Sequence, residues 1–248
     1  MTSKNPRLLV VSPHLDDAVL SCGLLLAAHP GTTVCTVFSA PPAHNLTTDW
    51  DRQSGFADAF EAMHARKAED REALALLGAR ALHLPFCDAQ YDATPALATL
   101  TVALEQIVAA IEPTHLLMPL GLFHSDHLLV ADACLNLLER PLAISLLAYE
   151  DVPYRHLPGT VQQRLCELAR RGFLADAPDT DDLFGAQQEV QVKRAAVDAY
   201  RSQMRAFGPD GRENLYSEER YWKLRVAAKA DCLRARGITL AAPSLSVR

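Results

Sequence analysis

Arg7-Leu8-Leu9-Val10-Val11-Ser12-Pro13-His14-Leu15-Asp16-Asp17 is the stretch on which the fold turns. Residues 8–11 form a short, unbroken apolar run, the pattern of a strand covered on both faces. Pro13 ends it, because proline has no N–H to give a sheet ladder. One imidazole and two carboxylates follow at once. Residues 17–29 then read as a helix with Ala18, Leu20, Leu24 and Leu25 on its buried side, stopped by Pro30-Gly31.

Outward from this unit the pattern repeats. Residues 32–38 read as a strand, 39–55 as a long loop, and 56–77 as a helix closed by Gly78. Strands at 80–84, 114–118 and 143–149 alternate with helices at 95–111 and 127–139. Alternation on this scale predicts an α/β three-layer sandwich whose mostly parallel sheet has helices on both faces. Ligands of such a sheet bind beyond the carboxyl ends of its strands. The segments to watch are therefore 13–17, 39–55, 85–92, 119–127 and 150–158. After residue 158 the alternation is lost. Residues 159–171, 187–207 and 217–233 read as helices, and 176–182 as an acidic linker. We expect one domain over 1–248, with a core at 7–158 and a mainly helical C-terminal extension at 159–248.

Composition narrows the function. The chain has 248 residues, 49% hydrophobic and 22% charged, so it can bury a core of its own. Its formal charge of −6 and the absence of a Lys/Arg block argue against a nucleic-acid partner. No apolar run is long enough for a membrane span, and the N-terminus does not read as a signal peptide. The six cysteines are scattered without a CxxC pair, as buried thiols in a reducing compartment would be, so a cytoplasmic location is expected. The helices at 159–171 and 187–207 could pack internally or against a second copy, which leaves a homo-oligomer open.

Two clusters could carry chemistry. The first is His14, Asp16 and Asp17; the second is His124-Ser125-Asp126-His127, after the strand at 114–118. In a parallel sheet both lie at the same edge. Carboxylates that dense beside a buried strand need a counter-charge, because desolvation disfavours their ionised form. Two histidines and one carboxylate make a zinc set with a fourth position for water, and iron(II) suits the same donors. The spare Asp and His would serve a hydrolase as acid and base. The plainer alternative is that Asp16, Asp17 or Asp126 only caps a helix. A nucleotide-binding module is disfavoured, since there is no Gly-x-Gly-x-x-Gly turn and no Gly-rich Lys-Ser/Thr loop. A non-catalytic scaffold that keeps a metal site would not need both Asp16 and His124.

Pro13-His14-Leu15-Asp16-Asp17 resembles the Pro-His-Pro-Asp-Asp signature of the LmbE-like, or PIG-L, zinc-dependent N-deacetylases, and His124-Ser125-Asp126-His127 resembles their His-Pro-Asp-His motif. Weaker matches are Arg66-Lys67-Ala68-Glu69, Phe86-Cys87-Asp88, and Lys193 with Tyr200-Arg201-Ser202-Gln203. Leu15, Ser125 and Ala89 depart from the usual spacers. The resemblance implies a Rossmann-like sheet and removal of acetyl from an N-acetylated amino sugar or its conjugate, a small-molecule substrate. It implies His14, Asp17 and His127 as metal ligands, Asp16 as general base, and His124 as electrophilic or acidic partner. Asp126 would orient a histidine or cap a helix. Arg66 would pair with Glu69 or reach the substrate; Trp50, Asp88 and Tyr149 are further candidate substrate contacts. The competing reading is a zinc amidase or deacylase acting on a non-sugar amide, since the same five residues would serve any amide carbonyl.

Overall fold

The computed structural model describes residues 6–139, 144–178 and 190–227. Its strands are β1 (Leu8–Ser12), β2 (Thr33–Ala40), β3 (Arg80–Cys87), β4 (His115–Pro119), β5 (Ser145–Tyr149), β6 (Phe173–Asp176) and β7 (Tyr221–Val226). Its helices are α1 (Asp17–Ala28), α2 (Asp49–Ser54), α3 (Ala59–Leu76), α4 (Leu97–Ile111), α5 (Ser125–Asn136), α6 (Thr160–Arg170), α7 (Val190–Asp198) and α8 (Arg201–Arg212).

The sheet order is β3-β2-β1-β4-β5-β7-β6. The first five strands are mutually parallel, and β7 runs antiparallel to both β5 and β6. After β3 the chain crosses back to the far side of β1, so the order reverses between β1 and β4. That reversal opens a crevice at the carboxyl ends of these two strands.

Alternate residues of β1 serve opposite faces, as the two-residue period of a strand requires. Leu9 and Val11 join the core under α4, α5 and α6, while Leu8 and Val10 join the core under α1, α3 and α7. The α/β three-layer expectation holds, and among the described residues no helix is long and apolar enough to cross a membrane.

Three local expectations are corrected. The long loop at 39–55 contains α2, whose N-cap Thr48 and Asp51 form a reciprocal capping box. The helix expected at 187–207 is two, α7 and α8, with its first residues outside the described ones. The helix expected at 217–233 is instead the strand β7 up to Val226; residues 228–233 lie outside the described ones. Trp222 and Leu224 pack on one side of the sheet and Tyr221 on the other, a strand period. The described C-terminal part is mostly helical, as expected, but it also contributes β6 and β7, which extend the sheet. Of the acidic linker, Asp176 ends β6 and pairs with Arg225 (2.8 Å), and residues 179–182 lie outside the described ones.

Candidate active site

The first cluster follows β1. Ser12 Oγ accepts the Ala18 N–H (3.0 Å) at the start of α1. Asp16 stands at the N-cap position but makes no side-chain cap bond. The serine thus serves the helix end, and the Asp16 carboxylate is left for the cavity that it lines. The second cluster follows β4. Here the cap of α5 is His124, whose Nδ1 accepts the Asp126 N–H (3.2 Å). Asp126 faces His14 instead, with Oδ2 3.0 Å from Nε2, and also accepts the Ala89 N–H (3.1 Å).

Two imidazoles meet one carboxylate. His14 Nδ1 lies 3.1 Å and His127 Nε2 3.2 Å from the same atom, Asp17 Oδ2. Ligand atoms of His14, Asp17 and His127 all fall within 4.8 Å of one another. Each ring has a carboxylate at its outer nitrogen: Asp126 for His14, and Asp151 Oδ1 for His127 Nδ1 at 2.6 Å. Those partners place the ring protons outward and turn two lone pairs toward Asp17. His127 Nε2 is buried and has no hydrogen-bond partner. Lone pairs aimed at an anion repel unless a cation lies between them, so the donor set fits a divalent metal with its histidines oriented by carboxylates.

The electrostatics agree. Burial, then the neighbouring Asp17 charge, pushes the Asp16 carboxyl up to about 7. Burial alone would raise Asp17, but the His127 and His14 imidazoles hold it well below the usual carboxylate range. Burial would lower His127, yet the Asp17 and Asp151 carboxylates raise it to about 9. Burial and the imidazoles of His14 and His127 hold His124 below its ordinary value. Protons are standing in for the missing positive charge. A bound cation would displace them and draw Asp16 toward its ionised form.

A cavity of about 270 Å³ opens over these groups. Trp50, Arg66 and Asp88 line it, together with Gln90, Tyr154, Gln203 and Phe207. Arg66 is not paired with Glu69. Its Nη2 reaches Asp51 (3.4 Å) and Ser54 (3.3 Å), while Glu69 accepts the N–H and hydroxyl of Ser202. Asp88 caps the short turn Ala89–Tyr91 and still faces the cavity. Tyr149 is a correction. It is fully buried in the core and donates its hydroxyl to Val11 O (2.9 Å), away from the residues lining the cavity.

Asp151 lies in the strand-end segment 150–158 that the sequence singles out, but its place behind His127 Nδ1 is a tertiary pairing that the sequence does not show. Asp151 Oδ2 also accepts the N–H groups of Gly121 and Leu122 (2.9 and 3.0 Å). Tyr154 lies nearly parallel to His124 (6.1 Å, 19°) and edge-on to His127 (5.0 Å). Gln203 lines the cavity, where it accepts the Trp50 indole N–H (3.1 Å), whereas Tyr200 is buried in the core and donates to Asp70 (2.8 Å).

A mostly parallel sheet with a switch-point crevice and a two-histidine, one-aspartate cluster suits metal-assisted hydrolysis. The PIG-L family model, GlcNAc-PI de-N-acetylase, matches residues 9–138, just over half of the sequence, and that segment holds both histidine clusters. The chain belongs to this family of metal-dependent N-deacetylases. It is similar to a deacetylase triple mutant (Orf2*T) of the teicoplanin biosynthetic pathway, with 26% identity over 90% of this chain and 99% of that one and a TM-score of 0.73. It is similar to the A40926 pseudoaglycone deacetylase Dbv21, with 27% identity over 91% and 99% of the two chains and a TM-score of 0.70. The 4-carboxy-2-hydroxymuconate hydratase GalB of Pseudomonas putida, 18% identical over 88% and 95% with a TM-score of 0.51, shares the fold alone. No curated protein matches the chain.

Proposed function

We propose that this protein is a zinc-dependent hydrolase that removes the acetyl group from an N-acetylated amino sugar or its conjugate. Zinc would be held by His14, Asp17 and His127. The observation that carries this is the convergence of His14 Nδ1 and His127 Nε2 on Asp17 Oδ2, with the Asp16 carboxylate spare beside them. The 26% and 27% identical deacetylases support the same reading.

A divalent cation there supplies Lewis acidity to an amide carbonyl and acidifies water. Asp16 takes the proton from the attacking water as the C–O bond forms. The cap bond of Asp126 N–H to His124 Nδ1 leaves the Nε2–H of His124 as a donor toward the cavity, where it meets the developing oxyanion. As the C–N bond breaks, the proton held by Asp16 passes to the leaving amine, and acetate and amine are the products. Arg66 and Asp88, which line the cavity, offer a donor and an acceptor to sugar hydroxyls, with Trp50 as an apolar wall. The free thiols of Cys22, Cys35, Cys87, Cys134 and Cys166 support a reducing, cytoplasmic setting.

The test is acetate release across N-acetylglucosamine conjugates, N-acetyl amino acids and acylated diamides. Turnover of the sugars is expected; turnover of the non-sugar amides alone would replace this function with the amidase one.

A further inference from the structure

Phe123 stands out at the edge of the site. Among the described large hydrophobic residues it is the most exposed, at 69%. Its backbone has a φ of +61°, a left-handed conformation that bulky side chains avoid. The His124 N–H donates to Leu122 O across it (2.6 Å), closing a three-residue turn. The turn is firmly held. Leu122 is buried, Asp151 accepts the N–H groups of Gly121 and Leu122, and Arg164 Nε donates to Leu120 O (3.0 Å). The ring is therefore displayed by a rigid mount, and backbone strain of this kind persists where the surrounding contacts over-determine it, often at functional sites.

The Phe123 ring touches one other ring, that of Tyr154, among the described contacts (5.5 Å, 35°). Tyr154 lines the cavity and lies along His124, so Phe123 carries the aromatic wall of the site outward into solvent. On the cavity's other side, Trp50 packs edge-on to Phe207 (5.6 Å, 74°). A cavity of about 270 Å³ is smaller than the roughly 300–1,000 Å³ of pockets that engulf a drug-sized ligand, so on the amino-sugar reading the sugar and its acetyl group are the part taken inside. Whatever is joined to that sugar leaves past the mouth.

We propose that Phe123 is a specificity-determining residue that stacks on an aromatic aglycone of the amino-sugar substrate. This rests on the amino-sugar reading of the cavity. The probes are phenyl and methyl N-acetyl-β-D-glucosaminide, which differ only in the aglycone, titrated by calorimetry into zinc-loaded protein in the Asp16→Asn background. The phenyl glycoside should bind roughly five- to ten-fold tighter, the scale of one aromatic pair. Phe123→Ala should bring the ratio of the two dissociation constants close to one, and Phe123→Tyr should keep it. Equal affinities in the parent, a ratio unmoved by Phe123→Ala, a ratio lost in Phe123→Tyr, or no binding of either glycoside would each overturn the proposal. Acetate release by the wild type from the same pair judges the catalytic reading separately. Release from both at one rate, with the binding ratio absent, leaves deacetylation standing and removes Phe123. No release, with the ratio present, does the reverse.

Discussion

Asp151 Oδ1 lies 2.6 Å from His127 Nδ1, and both side chains are fully buried. The other oxygen of the same carboxylate holds the N–H groups of Gly121 and Leu122. Two residues past the end of β5, a single carboxylate thus orients the His127 ring and holds the loop leading to it. Asp151→Asn cannot serve both, because its amide N–H₂ would face either the ring N–H or two backbone donors. We expect metal affinity to fall by about 10- to 100-fold, the usual size of such orienting effects. Competition with a chelating dye measures it; unchanged affinity would remove Asp151 from this role.

Asp16 should separate catalysis from metal binding. It neither caps α1 nor belongs to the His14–Asp17–His127 ligand set. Asp16→Asn is predicted to lower kcat by roughly 10²–10⁴-fold, the range for a lost general base, with metal content staying near one per chain. Loss of the metal from this variant would make Asp16 a ligand.

Metal binding should release protons. Against burial, the Asp17 and Asp151 carboxylates raise His127 to about 9, so that ring holds a proton at pH 7 until a cation displaces it, and His14 is raised in the same direction by Asp88, Asp126 and Asp17. A cation must displace those protons, so affinity should rise with pH from 6 toward 9 and level off above it. Calorimetry in buffers of different ionisation enthalpy counts the protons; zero release at pH 7 would contradict the charge balance drawn here.

Tyr149 offers the opposite kind of test. Its hydroxyl serves Val11 O in the core rather than the cavity. Tyr149→Phe should cost about 0.5–1.5 kcal/mol of stability and lower the Tm, while kcat/KM stays within about two-fold of wild type. A raised KM at unchanged Tm would return it to the substrate.

Gly23 should resist a substitution that helices usually welcome. Alanine in place of a helical glycine ordinarily gains about 0.8–1 kcal/mol. A Cβ at Gly23 would stand 2.8 Å from Lys193 Cγ, and Lys193 is buried in an ion pair with Glu219 (2.7 Å). Overpacking of about 1–3 kcal/mol outweighs the gain, so Gly23→Ala should lower the Tm in a thermal melt.

The parallel core was legible because local pattern and fold agree there. The apolar run at 8–11, the proline after it and the Gly and Pro stops punctuate the chain wherever strand passes to helix. The convergence of the two histidine clusters was legible for a related reason: parallel strands bring 13–17 and 120–127 to one edge. Residues 217–233 read as one helix although Trp222 and Leu224 alternate with Lys223 and Arg225, a strand's two-residue period carried over only six residues. Only pairing with β5 shows that Trp222 and Leu224 are the buried side of a strand.

What the sequence determined by itself was which imidazoles and carboxylates gather at one edge of the sheet and in what order, since short-range spacing after a strand is inherited directly by the folded edge. The tertiary structure decided their partners. Ser12 rather than Asp16 serves α1, His124 rather than Asp126 caps α5, Asp126 turns to His14, and Asp151 backs His127. Ser12 and His124 act locally and free the two carboxylates from the helix ends, whereas Asp126–His14 and Asp151–His127 join separate segments that the parallel register of β1, β4 and β5 brings within reach.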